Sequence, residues 1–319
     1  MDAMILAAGE GTRLRPISYL RPKPLLPVLN EALLQWTLRY LNRFSIDRVI
    51  LNTHHLATHF ETGLLSLDKG KIKKVETRYE PQILNTGGGL VNARDFFQTD
   101  PFLVISGDIL TDIDIAKAVE FHQSHPDPVT LILHDYPEFN QILVDSRTHI
   151  QKFREGYGRG LDFANIHILD RAVFDFLPAP GNFDITTAYQ EIIDRGIPIH
   201  GYVSRGHYWR NIGTPETYLK VHEELLTTPS STLSPTEGRA VVGGLSKGIL
   251  IHPQAFVEKN VEFSGWACIG KGCRLKSGCR IENSILWEDI VVESGISISG
   301  SIISRAVRIE KDLSGEIIA

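Results

Sequence analysis

Cysteine is scarce in this chain and falls late: Cys268, Cys273 and Cys279 are the three among 319 residues. None stands in the paired CxxC spacing of a zinc site, and Cys273 and Cys279 are six apart, so they are expected at equivalent places in successive repeats, buried for packing. A basic surplus is missing too. Lys plus Arg number 33 against 38 Asp plus Glu, a formal net charge of -5, which leaves no general field to hold a nucleic acid through its phosphates. Long apolar runs are absent: Ala3 to Ala8 is too short for the apolar region of a signal peptide, and no stretch has the about 20 apolar residues needed to span a bilayer. The expectation is a cytoplasmic protein with neither nucleic acid nor membrane as partner, in which positive charge for a ligand must be local.

What the chain does contain is ample apolar material, 42% of its residues, arranged in two different periodicities. Up to about Leu226, short apolar runs alternate with helical stretches, the pattern of an α/β domain with a Rossmann-like, mostly parallel sheet. Strands are predicted at Ala3 to Ala8, Arg48 to Asn52, Val75 to Tyr79, Phe102 to Ser106, Val129 to His134 and Phe163 to Leu169. Helices are predicted on the Leu34, Leu38, Leu41 stripe and at Gly89 to Phe97, Ile113 to His122, Thr186 to Arg195 and Pro215 to Leu226. Pro16, Pro22, Pro24 and Pro27 forbid a helix after the first strand, which leaves Thr12 to Pro27 as an ordered loop. The polar stretch "TTPSSTLSPTEG" then reads as a linker. Beyond it Ile251, Val257, Phe263, Ile269, Leu275 and Ile281 recur every six residues, and "IENSILWEDIVV" from Ile281 matches "ISGSIISRAVRI" from Ile298 at an offset of 17. This predicts a small left-handed parallel β-helix of hexapeptide repeats. The division is 1–228 for the α/β domain, 229–248 for the linker and 249–319 for the β-helix. Trp266, Trp287 and Ile303 are expected partly exposed on the coils, where they would support a homo-oligomer.

Immediately after the first strand comes "LAAGEGTRLRP", residues Leu6 to Pro16, followed by "RPKPLLPV" from Arg21 to Val28. Glycine permits close approach of a backbone, and arginine holds phosphate or carboxylate in a planar fork, so a polyphosphate is the expected ligand. A Walker A loop is excluded, since no Gly-Lys-Ser/Thr follows Gly9 at the required spacing. A dinucleotide fingerprint is excluded as well, because Leu14 stands where a third glycine is needed. His54, His55 and His59 lack carboxylates at metal-site spacing and read as surface or helix-packing residues.

These two segments, with "EPQILNTGGG" from Glu80 to Gly89, "SGDILTD" from Ser106 to Asp112 and "WRNIGTPETYL" from Trp209 to Leu219, resemble the sugar-1-phosphate nucleotidyltransferase family block for block. The resemblance spares only the linker and the region around residues 135 to 160. It implies an enzyme dependent on Mg²⁺ that joins a nucleoside triphosphate to a sugar 1-phosphate and releases pyrophosphate. The nucleotide would lie on Leu6, Ala7, Ala8, Gly9, Gly11 and Thr12, with Gln82, Thr86, Gly87 and Gly88 at its base. Arg13, Lys23 and Asp108 would be catalytic, Gly107 and Asn165 would face the sugar, and Asp108 with Asn211 would hold the metal. The "TGGG" block looks more like that of guanylyltransferases for mannose- or heptose-1-phosphate, and of related uridylyltransferases, than that of thymidylyltransferases; GTP with mannose-1-phosphate is the first expectation, with heptose- or UTP-directed enzymes, or a non-catalytic nucleotide-sugar-binding scaffold, as alternatives. Three departures stand out: Asn211 where the family usually has Asp, Asn165 where many members have Gly, and "FREG" from Phe153 where a Glu-Lys-Pro segment is usual.

Overall fold

A computed structural model describes residues 1–136, 142–153, 161–228 and 248–319. The expected linker (save Gly248) and all of the "FREG" segment after Phe153 lie outside the described residues. The chain packs as two compact units that do not follow chain order: one holds Met1–Glu10 with Leu34–Trp209, the other Gly11–Leu33 with Arg210–Ala319.

The first unit is built on seven strands: β1 (Asp2–Leu6), β2 (Arg48–Thr53), β3 (Lys74–Tyr79), β4 (Phe102–Ser106), β5 (Val129–His134), β6 (Asp162–Leu169) and β7 (His200–Val203). Their order across the sheet is β7-β5-β6-β4-β1-β2-β3. All neighbours run parallel except at β6, which is antiparallel to both β4 and β5. This is the mostly parallel sheet expected from the apolar runs, which both faces require because helices cover them. The helices are α1 (Leu33–Leu41), α2 (Ala57–Ser66), α3 (Asn85–Asn92), α4 (Ile115–His122) and α5 (Ile185–Asp194). Met4, Ile50, Val104 and Leu131 from the strands share one core with Leu90, Val91, Tyr189 and Ile192 from the helices.

Helix starts depart from the apolar pattern where a capping side chain intervenes. The helix expected from Ile113 begins at Ile115, because Asp114 accepts from the Ala116 amide at 3.0 Å and stops the chain short of it. The stretch expected as Gly89 to Phe97 is divided, with α3 ending at Asn92 and a separate 3₁₀ turn over Arg94–Phe96.

In the second unit α6 (Pro215–Thr227) opens with proline in its first turn and a reciprocal cap between Thr214 and Thr217. The C-terminal part is made of parallel sheets with short strands. One sheet joins Ile249–Ile251, Glu262–Ile269, Arg280–Leu286, Ser297–Ser299 and Leu313–Ser314, and another joins Phe256–Val257, Arg274–Leu275, Val291–Val292 and Arg308–Ile309. The 17-residue offset in the sequence is the pairing register itself, with Ile281 beside Ile298 and Val292 beside Ile309. Ile269, Leu275, Ile281, Val292 and Ile298 are buried, with Leu275 stacked beside Val292 and Ile281 beside Ile298, an arrangement consistent with a β-helix. Cys268, Cys273 and Cys279 are free and buried there. Burial raises their thiol pKa values, that of Cys273 to about 11, so they are packing groups and not nucleophiles at neutral pH.

Trp266, Trp287 and Ile303 are only 4%, 2% and 0% exposed, which corrects the expectation that they would be partly wet. Their cover comes from within the same unit. The indole Nε1 of Trp287 donates to the Tyr218 hydroxyl at 3.1 Å, and the Arg21 guanidinium lies 4.9 Å from the centre of its ring. Among the described residues, no helix is long and apolar enough to cross a membrane.

Candidate active site

The carboxyl ends of β1 and β4 lie side by side, with Leu6 in register with Ser106 and the Gly107 amide donating to the Leu6 carbonyl at 2.9 Å. From β1 the chain moves outward through β2 and β3, then returns to the other side of β1 as β4. Ligands of open α/β sheets bind at such a reversal, outside the carboxyl ends of the strands. The structure therefore brings Leu6, Ala7, Ala8 and Gly9 together with Gly107 and Asp108 at one place on the sheet edge. Ser106 Oγ donates to Asp108 Oδ1 at 2.7 Å and orients this half-buried carboxylate.

Asn165 joins them from β6. It precedes Ile166, which pairs with Ile105, and it sits where the register of β6 against β5 shifts. Its φ of 56° is left-handed, a conformation that glycine adopts freely and asparagine tolerates. The departure from glycine at this position thus keeps the backbone shape.

A second set of residues runs along the same edge toward β3. The Ala7 amide donates to Asn52 Oδ1 at 2.8 Å, Asn52 Nδ2 donates to Glu80 Oε1 at 2.9 Å, and the Leu84 amide donates to Glu80 Oε2 at 3.2 Å. Asn52 and Glu80 are buried, and burial raises the Glu80 pKa against the lowering effect of its hydrogen bonds. This network fixes the glycine-loop backbone to the start of α3. The sequence pattern does not reveal it: Glu80 lies in the "EPQILNTGGG" segment with no sign of its role, and Asn52 follows an apolar run. The signal was a polar residue at the carboxyl end of each of two neighbouring strands, Asn52 inside the first and Glu80 just after the second.

On α3, Thr86 Oγ1 accepts from the Ile185 amide at 3.0 Å, and the Gly87 and Gly88 amides both donate to the Phe183 carbonyl. A side chain on Gly87 would strike the Phe183 ring, and one on Gly88 the Gly181 carbonyl. These glycines are needed where α3 meets the segment before α5. Gln82 is exposed in the turn between β3 and α3.

The remaining predicted residues belong to the second unit, whose Gly11–Leu33 segment forms three 3₁₀ turns and a short hairpin. Gly11 has a φ of 67°, and Ser18 Oγ donates to its carbonyl at 2.9 Å. A methyl on Gly11 would come within 3.1 Å of Lys23 Cγ, so the half-buried lysine stem passes directly beside the glycine. Thr12 and Arg13 are exposed. A methyl on Gly213 would lie 2.7 Å from Asn211 Oδ1 and 3.4 Å from Arg13 Nη2, which shows that Arg13 and Asn211 converge over Gly213. The Asp108 carboxylate in the first unit and the Asn211 amide oxygen in the second are each an oxygen donor of the kind that a hard cation such as Mg²⁺ takes. Of the three early histidines, His54 donates from Nδ1 to the Glu80 carbonyl at 2.8 Å.

A family model described as nucleotidyl transferase matches residues 2–228, and one described as the GMPPB C-terminal domain matches residues 245–315. The chain is 29% identical to a mannose-1-phosphate guanylyltransferase of Mycobacterium tuberculosis over 93% of its own length and 83% of the relative's. It is 26% identical to a UTP–glucose-1-phosphate uridylyltransferase of Synechocystis over 90% of the chain and 83% of the relative. The crystal structure of HddC from Yersinia pseudotuberculosis complexed with GMP-PN superposes with a TM-score of 0.59 at 25% identity, covering 69% of this chain and 97% of that one. With the glycine loop and Asp108 meeting at the β1–β4 reversal and a nucleotidyl transferase model matching 2–228, the chain belongs to the sugar-1-phosphate nucleotidyltransferase family.

Proposed function

We propose that the chain forms a nucleotide-sugar from GTP and mannose 1-phosphate. An oxygen of the sugar phosphate attacks the α-phosphorus of the triphosphate, the bond from that phosphorus to the bridging oxygen breaks, and pyrophosphate leaves with the electron pair. Two anions meet in this reaction, so charge neutralisation and in-line placement supply most of the acceleration. The observation that carries the reading is the side-by-side placement of the Leu6–Gly9 loop and Asp108 at the reversal of the sheet.

In this reading the backbone of Gly9 to Thr12 receives the triphosphate. Arg13 takes the outer phosphates with its planar fork, and Lys23 supplies a point charge at the reacting group. Asp108 and Asn211 would hold Mg²⁺, which when bound neutralises the phosphates. Gln82 and Thr86 with Gly87 and Gly88 face the base, and Gly107 with Asn165 faces the sugar. The chemistry belongs to residues 1–228, followed by a 229–248 linker and a left-handed coil domain over 249–319, in a cytoplasmic protein. The "TGGG" block speaks against a thymidylyltransferase, and GTP and mannose are favoured by the name of the mycobacterial relative. UTP is the second reading, favoured by the cyanobacterial relative's name.

The test is pyrophosphate release over a panel of GTP, UTP, dTTP, ATP and CTP with mannose, heptose, glucose and N-acetylated sugar 1-phosphates. GTP with mannose 1-phosphate should give the highest kcat/KM. Asp108→Asn should fold normally and lower turnover on the order of a hundredfold or more. Release that is absent with every pair would favour a non-catalytic binder, and near-normal turnover of the variant would reject the role of Asp108.

A further inference from the structure

Gly89, the third glycine of the "TGGG" block, has no task in the proposed transfer, and its surroundings assign one to two other side chains. A methyl on Gly89 would lie 2.6 Å from Asn52 Nδ2 and 2.8 Å from Glu80 Oε1. The backbone of α3 therefore rests directly on this pair, and both of its members are buried. We propose that Asn52 and Glu80 are positioning residues for the nucleotide, an amide and a carboxylate that act as one unit to hold the Ala7 amide of the glycine loop, which rests on the proposed placement of the nucleotide on that loop and on α3.

The direction of every hydrogen bond in the unit is fixed by its two ends, which are backbone N–H groups and can only donate. The Ala7 N–H, 2.8 Å from Asn52 Oδ1, requires the amide oxygen at that place. This turns the Asn52 nitrogen toward Glu80 Oε1, 2.9 Å away, where it donates. At the far end the Leu84 N–H donates to Glu80 Oε2 at 3.2 Å. Glu80 thus faces a donor at each oxygen, and a carboxylate is the group that offers an acceptor at both. Asn52 must accept at one end and donate at the other, which an amide does.

The main chain of Glu80 is held apart from these bonds. Its N–H donates to the Thr53 carbonyl at 2.8 Å, and its carbonyl accepts from His54 Nδ1 at 2.8 Å. The carboxylate is therefore placed from β2 and not by the loop that it supports. Ala7 is buried, so without Asn52 its N–H loses a partner and gains no water in exchange. The loop relieves that cost by shifting, and phosphate contacts made from its backbone shift with it.

Because each donor is defined, the polarity of the unit can be reversed. Glu80→Gln leaves one acceptor oxygen facing two donors, and Asn52→Asp sets a second carboxylate oxygen against Glu80 Oε1 at the 2.9 Å contact. The double variant Asn52→Asp/Glu80→Gln satisfies all three bonds again: the carboxylate at 52 accepts from Ala7 and from the amide at 80, whose oxygen accepts from Leu84. The experiment uses the full chain. Pyrophosphate release is measured with the best nucleotide and sugar pair, and binding of GTP and of UTP with Mg²⁺ is measured by calorimetry without sugar phosphate. Each single variant should raise the nucleotide KM and Kd by about tenfold or more and leave the KM for sugar 1-phosphate unchanged. The double variant should return both nucleotide constants to within about threefold of the parent. Loss of folded protein alone would lower kcat and move neither KM, so a rise confined to the nucleotide is the mark of positioning. Parental nucleotide KM and Kd in the single variants overturn the proposal, as does a double variant that recovers neither constant. A parent that binds nucleotide and releases no pyrophosphate overturns the transfer reading alone, and the Kd values then decide on Asn52 and Glu80. A parent that binds neither GTP nor UTP overturns both.

Discussion

Asn211 carries an amide where the family resemblance leads one to expect a carboxylate, and its surroundings show what that exchange does. Its Oδ1 and the Arg13 guanidinium meet over Gly213. A neutral carbonyl oxygen is a weak ligand for a cation and leaves the arginine unpaired by it. Asn211→Asp should therefore act in two directions. The Mg²⁺ concentration for half-maximal activity should fall several-fold, since each 1.4 kcal/mol corresponds to about tenfold in affinity. The KM for the triphosphate should rise, because the new carboxylate competes with phosphate for Arg13. Mg²⁺ titration of pyrophosphate release at fixed substrates reads the first effect, and nucleotide saturation at fixed Mg²⁺ reads the second. Equal Mg²⁺ dependence in the two proteins would mean that residue 211 does not face the metal. Asn165 makes the complementary case, since its left-handed φ of 56° explains a departure from glycine without any chemistry.

The Gly11–Leu33 segment is held by groups far along the chain. Arg21 pairs with Glu288 through two hydrogen bonds of 3.1 and 2.8 Å while covering Trp287. Tyr218 donates to the Pro27 carbonyl. Asn30 donates to the Ile269 carbonyl at 2.9 Å, and the Leu29 amide donates to His222 Nε2 at 3.2 Å. Trp287→Ala should cost about 3–5 kcal/mol, since it removes a buried ring and leaves the Tyr218 hydroxyl short of a partner. Arg21→Ala breaks a partly exposed pair and should cost about 1 kcal/mol. Because Lys23 and Arg13 ride on the same segment, both variants should also raise the nucleotide KM. Urea titration and nucleotide saturation kinetics check the two effects, and unchanged kinetics in a destabilised Trp287→Ala would show that the coils do not position the loop.

The elements themselves were legible in the sequence where a period runs along the chain. Alternating apolar runs located six of the seven strands of the sheet, and the period of six with its 17-residue offset gave the stacking of Ile281 on Ile298. The partners of the Gly11–Leu33 segment were not legible, because no periodicity links Arg21 to Glu288. Trp287 was misjudged for the same reason: its cover is supplied by residues remote in sequence. Asn52 and Glu80 were hidden because burial of a carboxylate depends on neighbours that the local pattern does not name.

At the scale of the whole molecule, buried neutral histidines set the response to acid. Burial lowers the pKa of His125, His134 and His222 to about 4 and that of His167 to about 3, against 6.5 for an ordinary imidazole. The unfolded chain binds more protons between these values, so this contribution to stability is full above about pH 6.5 and is lost as pH falls toward 4. Asp162 opposes it: burial raises its carboxyl to about 6, so its contribution is present below about pH 4 and lost as pH rises through 6. Four groups outweigh one, and Tm should fall by on the order of 10 °C between pH 7.5 and pH 5. Thermal melts across that range measure it; a flat profile would mean that these rings are charged or wet in the folded chain.

The composition of the second unit, Gly11–Leu33 with Arg210–Ala319, also sets a timetable. On the ribosome the segment carrying Arg13 and Lys23 is made well before the Arg210–Ala319 surfaces it packs against. At about 5–20 residues per second, the nascent loop waits roughly 15 to 60 seconds for its partners. A chain lacking Arg210–Ala319 would present the Gly11–Leu33 segment without the frame that shapes it, so competence to bind nucleotide arrives only once that later part has been made.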